Sequence, residues 1–367
     1  MATLTQSSQQ WATRPADERF TSLTELAAIT LAQRQRSASR CVPSTRLRAV
    51  PDLSDRTHRG LTVQGPTGNQ VNLTHWSFGQ LASRVGAPAG YLRTLPAPLA
   101  ADALNYGLQV ARNVEDIGVL LTRGVDGADP ELRAVTGPNY GRVWNSDIAA
   151  ALCDRFGDGL TGAFRVPGEF GKAVEVTKAN TTLYAGDRDL FVFLADEDHR
   201  IEVPNRRDGK SGSLARGFFV WNSEVGSTTL GIATFLFDYV CCNRIVWGAQ
   251  GYRELKVRHT VSAPEKFINE VAPALEHYAQ SSTTDIVDAV VKAQKSKIDK
   301  VDEFLASRFT KGQVTAIKAA HEDDEGRPIE TLWDAATGIT AYARSIDWQD
   351  DRVKMEREGG KILDLAI

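Results

Sequence analysis

Arg216 to Trp247 reads RGFFVWNSEVGSTTLGIATFLFDYVCCNRIVW, and the fold turns on how this stretch is understood. It joins Trp221 and Trp247 with Phe218, Phe219, Phe235, Phe237 and Tyr239. Aromatic and β-branched residues suit a pleated, half-buried surface better than a helix. Phe218 to Asn222 is expected as one strand, Val225–Gly226 as part of a turn, and Thr228 to Val240 as a long second strand. Gly226 fits the tight connection, and Gly231 a bend or bulge. A β-hairpin at the centre of a sheet follows.

Working outward, more strands flank this hairpin. Ile117 to Thr122 and Leu132 to Val135 form a pair across the glycine-rich turn 124–130. Phe164 to Val166, Lys172 to Thr182, Asp189 to Ala195, Ile201 to Val203 and Tyr252 to His259 complete the strand-rich middle. Upstream, Leu23 to Arg36 has helical spacing, and Leu47 to Val50 and Leu61 to Leu73 alternate like short strands. Thr74 is placed to cap a helix carrying Trp76, Phe78, Leu81, Ala82 and Val85. Val143 to Phe156 is a further amphipathic helix, with Asn145 or Ser146 as its cap. From Pro264 onward the pattern is helical, although Gly359–Gly360 argues against a regular helix at the end.

Short turns between consecutive strands imply largely antiparallel pairing. The expected class is α+β, a curved antiparallel sheet in the middle of the chain packed against helices, with an all-helical C-terminal part. The expected division is an arm over 1–45, a small mixed region over 46–112, a sheet core over 113–262 and a helical region over 263–367.

The chain has 367 residues and a net charge of −3, so any nucleic-acid contact must use a local patch rather than a whole-molecule field. Cys41, Cys153, Cys241 and Cys242 show no CxxC pair and no metal-ligand spacing, which fits free thiols in a reducing compartment. With no stretch resembling a signal peptide and no membrane-spanning apolar run, a cytoplasmic location is expected.

The run Trp221-Asn222-Ser223-Glu224-Val225-Gly226, followed by an apolar strand ending Cys241-Cys242-Asn243, resembles the phage/plasmid-like family of uncharacterised proteins. The resemblance extends to Leu132-Arg133-Ala134-Val135 and to Tyr140-Gly141-Arg142-Val143-Trp144-Asn145-Ser146-Asp147, and covers most of residues 70–365. Such proteins are encoded by phages, plasmids and integrated elements, which implies a mobile-element origin. A remoter likeness is to phage single-strand annealing proteins. It implies single-stranded DNA binding, recombination and self-association into rings or filaments.

Three groups of residues could carry chemistry. Asn222, Ser223 and Glu224 with Gly226, and Asn243 further on, form the motif of the resemblance. Glu224 could serve as a base or ligand there, or the polar residues could merely stabilise the turn with Glu224 exposed. Asp196, Glu197, Asp198, His199 and Glu202 could converge on a hard cation, or be a solvated charged turn. The third group is cationic. Arg206, Arg207, Lys210, Arg216, Arg244, Arg253, Lys256 and Arg258 face five acidic residues between 201 and 260, leaving a local +3. Single-strand binding needs such charge beside aromatic rings on which bases stack. Alternation puts Lys256 and Arg258 on one face and Arg253 on the other.

The expectation is a non-enzymatic, oligomeric, single-stranded DNA-binding protein without cofactor or metal and without membrane association. A metal-dependent hydrolase and a host-modulating interaction protein are the alternatives.

Overall fold

A computed structural model of the chain describes residues 14–52, 60–110, 115–167, 175–204, 211–238, 243–245, 247, 254–347 and 349–366. Its first part runs β1 (Arg19–Phe20), α1 (Leu23–Gln35), β2 (Ser37–Pro43), β3 (Arg48–Pro51), β4 (Leu61–Gln64), β5 (Gln70–Leu73), α2 (His75–Arg84), α3 (Ala89–Leu92), α4 (Ala97–Gln109), β6 (Asp116–Thr122) and β7 (Glu131–Thr136). The Ser22 hydroxyl starts α1 by accepting from the Glu25 amide, and Thr74 starts α2 by accepting from the Ser77 amide.

Strands β2 to β7 form a six-stranded sheet in the order β2-β6-β7-β5-β4-β3. Strands β5 and β7 pair in parallel within it. The β6–β7 hairpin, expected in the central sheet, belongs here instead. Its Val119 and Val135 share a core with Val63 and with Phe78, Leu81 and Leu104 of the helices α2 and α4. An apolar hairpin joins whichever sheet has helices to cover it, and tertiary pairing decides that.

The chain continues through α5 (Asn145–Phe156), β8 (Phe164–Arg165), β9 (Leu183–Ala185), β10 (Leu190–Asp196), β11 (Ile201–Val203), β12 (Gly212–Asn222), β13 (Leu230–Asp238), β14 (Asn243–Ile245) and β15 (Glu254–Val257). With β1 these strands make a nine-stranded antiparallel sheet whose path is β1-β9-β10-β12-β13-β14. The expected strand over Lys172 to Thr182 is absent among its described residues. Asn180 accepts from the Thr177 amide and donates to the Glu175 carbonyl, which builds a turn instead. Helices α6 (Ala263–Lys266), α7 (Ala272–Gln280), α8 (Thr284–Lys295), α9 (Val301–Ala306), α10 (Lys311–Glu325), α11 (Leu332–Ala343) and α12 (Gln349–Leu363) complete the chain. The fold is α+β with a helical C-terminal part.

The central hairpin is buried on both faces, which is why its sequence is mostly apolar on both. Val192, Leu194, Phe218, Val220 and Ile232 pack on Leu26, Ile148, Leu152, Phe267 and Leu275. Phe191, Phe193, Phe219, Trp221, Phe235 and Phe237 form an aromatic layer on the other face, reached by Val353 of α12. Gly231 is no bulge: it lies in regular register opposite Trp221. A Cβ there would stand 2.1 Å from the indole, so the glycine admits the ring. Gly359 has a similar role, because a Cβ would meet Thr340 of α11 at 2.7 Å. Close helix packing thus keeps α12 regular through its paired glycines. Among the described residues no helix is long and apolar enough to cross a membrane.

Candidate functional site

The tip of the β12–β13 hairpin is driven into the seam between the two sheets. Gly226 turns the chain there with φ +83°. Glu224 is 2% exposed, so the alternative in which it was exposed at the turn is corrected. One of its oxygens accepts from the Arg133 guanidinium of β7 at 3.1 Å, and the other from the Asn145 amide at 2.8 Å. It therefore satisfies the first turn of α5, where neither Asn145 nor Ser146 acts as cap. Asn222 donates to the Val143 carbonyl and to Asn145 Oδ1, and Ser223 donates to the Arg188 carbonyl. From the smaller sheet's side, Trp76 and Gln80 both donate to the Val225 carbonyl. Tyr140 donates to the Ser223 carbonyl. With both oxygens of Glu224 engaged, the motif clamps two sheets to a helix and offers no free base. Asn243 stands apart, opposite Asp238 at the start of β14.

Of the cationic group, the described members Arg216, Lys256 and Arg258 do not share one environment. Arg216 is 4% exposed. It donates to Asp196 at 3.2 Å, to the Ala279 carbonyl at 2.8 Å, and to the Tyr278 and Ser281 carbonyls. It closes the C-terminal end of α7, where orphan carbonyls and the helix dipole favour a cation. Strand alternation with Leu214 and Phe218 could have placed it inside. Arg206, Arg207, Lys210 and Arg253 lie outside the described residues. Arg244 pairs with Phe237 in register on β14. Lys256 and Arg258, on and just past the edge strand β15, are exposed.

The acidic group is occupied by arginines. Asp196 meets Arg216 and His199, Glu197 meets Arg165 and Arg200, and Asp198 meets Arg165. Among the described residues no group of three or more His, Cys, Asp or Glu side chains could hold a metal ion.

Immediately beyond Arg258 the chain enters an open groove of about 1020 Å³ walled by Arg84, Asn139, Tyr140, His259, Thr260 and Ser262, among others. Tyr140 and His259 stack with ring centroids 4.8 Å apart and planes 23° from parallel. His259 Nδ1 lies 3.1 Å from the Gly141 carbonyl, and the Gly141 amide donates to the His259 carbonyl at 3.0 Å. Gly141 permits this approach, since a Cβ would lie 1.7 Å from the Thr260 oxygen. Burial holds the His259 imidazole below its ordinary range; the Gly141 carbonyl opposes this and Arg142 adds to it. At neutral pH the ring is therefore uncharged. Arg84 is paired with Glu115 at 2.7 Å, and Glu265 adds a second carboxylate to the lining, so the groove itself is slightly acidic.

Against the Tyr140 ring lies Arg142, 8% exposed, its guanidinium 5.2 Å from that ring's centre and 5.9 Å from the Trp144 ring. Among the described residues its Nε and Nη1 meet no hydrogen-bond partner. Sequence reasoning named neither Arg142 nor His259 as a site residue. Both sit in irregular segments where no periodicity tells a buried side chain from an exposed one. Tyr140-Gly141-Arg142 did lie within the stretch that carries the family resemblance.

No family model matches the chain, and no curated protein or solved structure matches it either.

Proposed function

We propose that the protein binds single-stranded nucleic acid along β15 and into the groove that follows it. One observation carries this reading: the exposed Lys256 and Arg258 lead directly into a groove walled by the stacked Tyr140–His259 pair. Cations neutralise phosphates without reading sequence, and aromatic faces accept any base, at about 1–3 kcal/mol per stacked base. A strand-annealing protein needs this kind of contact, because the pairing bases supply the specificity. A mobile-element origin belongs to the same proposal and rests on the family resemblance; recombination and self-association into rings or filaments rest on the remoter likeness to strand-annealing proteins.

Two cations imply modest affinity with a shallow salt dependence. The slope of log K against log salt is about −0.7 per phosphate contacted, hence roughly −1.4 for these two. Fluorescence anisotropy of a labelled single-stranded oligonucleotide across a salt series tests it. The expected result is binding in the micromolar range that weakens with salt at about that slope. Absent or salt-insensitive binding at low micromolar protein overturns the proposal.

A further inference from the structure

We infer that a single strand leaving the groove continues along the edge strand β2, where Arg36, Arg40 and Arg123 hold its phosphates. Residues 26–51 contain five arginines and no acidic residue, in a chain whose net charge is −3. One of the five, Arg34, is paired with Asp147. Antiparallel register sets Arg40 opposite Val119 and Ser37 opposite Thr122, and the Arg123 amide donates to the Arg36 carbonyl at 3.0 Å. Directly opposed residues share a face, as do alternate residues of one strand, so Arg36, Arg40 and Arg123 stand on one side of the sheet. Arg40 and Arg123 are exposed and Arg36 is half-buried. Among the described residues none of the three has an ion-pair partner. Like charges set opposite each other repel. An arginine on an edge strand guards it against unwanted pairing, but Arg123 follows the inner strand β6 and guards nothing. A polyanion laid across the three offsets that repulsion.

The track is continuous with the groove. Cys41 Sγ lies 3.7 Å from the Pro138 carbonyl, and the Ser44 amide donates to the Glu115 carbonyl at 2.9 Å. Pro138 and Glu115 both line the groove. From Pro43 back to Ser37 the strand spans roughly 20 Å, at about 3.3 Å per residue. The turn beyond Arg123 carries Asp126 and Asp129, so the cationic run ends there. Because the groove itself is slightly acidic, a strand passing through it needs cations on either side. Lys256 and Arg258 supply one side and the arginines the other, and guanidinium donors match phosphate oxygens. This extension rests on the proposed function, whose shallow salt slope belongs to a strand held on β15 and in the groove alone.

The experiment uses the full chain and fluorescence anisotropy with labelled single strands of about 6 and about 30 nucleotides across a salt series. Wild type is expected to bind the short strand with a slope of about −1.4. The long strand should reach about −3.5, since each of three further phosphates adds about −0.7. Arg36→Gln/Arg40→Gln/Arg123→Gln is expected to return the long strand to the short strand's slope. Its Tm should change little, because none of the three has a charged partner to lose. Should the triple variant fail to fold, Arg40→Gln alone decides, through a slope flatter by about 0.7. Equal slopes for the two strands in wild type, or an unchanged long-strand slope in the triple variant, overturn the track. Poly-glutamate that displaces the long strand as well as unlabelled strand of equal charge also overturns it, since the face then takes any acidic polymer. Strand binding lost in Lys256→Ala/Arg258→Ala but untouched in the triple variant removes the track and leaves the proposed function. The reverse result keeps the arginines and overturns the groove.

Discussion

Arg133 and Glu224 meet at 3.1 Å with both side chains almost wholly buried, one on the six-stranded sheet and the other at the hairpin tip of the nine-stranded sheet. A pair so placed specifies how the sheets dock, because removing either partner strands a charge in a dry seam. The same Glu224 also holds the start of α5 through the Asn145 amide. Glu224→Gln or Arg133→Met is expected to destabilise the protein by about 3–5 kcal/mol. The double variant should lose much less than the sum of the two singles. Urea unfolding of the four proteins measures this coupling, and strictly additive losses would contradict the clamp.

Trp221 lies over Gly231, its cross-strand partner, and Phe235 lies over Gly217 in the same way. Gly231→Ala drives a methyl against the indole and should cost about 1–3 kcal/mol through overpacking. Gly65, where an added Cβ would meet nothing within 4 Å, is the control. Gly65→Ala should stay within about 0.5 kcal/mol of wild type, as surface substitutions do. Denaturant midpoints of the two variants test the contrast.

Two sets of titrating groups pull stability in opposite directions with pH. Burial pushes the Glu18 carboxyl up to about 7, with Arg14 opposing and Asp187, Asp189 and Asp17 adding to the rise. The folded chain then holds a proton that the unfolded chain releases above its ordinary value of 4.5. That contribution is complete at lower pH and is lost as pH climbs through about 7. His75 and His259 are lowered, chiefly by burial, so the unfolded chain binds their protons more readily below 6.5 and acidification destabilises the fold. Glu18→Gln should therefore gain Tm relative to wild type at pH 8 and not at pH 5. Thermal melts across that range read the difference, and a pH-independent gap would contradict the raised Glu18.

Lys256 and Arg258 should separate binding from stability. The double variant Lys256→Ala/Arg258→Ala is expected to weaken oligonucleotide binding and flatten its salt dependence, since it removes the two proposed phosphate contacts. Its Tm should change little, because both side chains are exposed. Arg216→Met should do the opposite. It opens the C-terminal end of α7 and removes the guanidinium from Asp196 in the interior, costing about 3–5 kcal/mol. Anisotropy and thermal melts on both proteins check the pair of outcomes.

Local chemistry determined much of this molecule. The aromatic and β-branched run around Trp221 reads as a hairpin because such side chains fill a pleated surface. Thr74 reads as a cap because its hydroxyl suits the first turn, and the helical spacing after Pro264 holds throughout. These features depend on neighbours within a few residues, so the order of the amino acids is enough to state them. The sheet that receives β6–β7, the burial of Glu224 and Arg216, and the meeting of Tyr140, Arg142 and His259 depend on partners far along the chain. Glu224 reaches back to Arg133, and Arg216 forward to Ala279. A carboxylate or guanidinium looks the same in sequence whether water or a buried partner satisfies it. Only the packed structure, by excluding water from the seam, decides which.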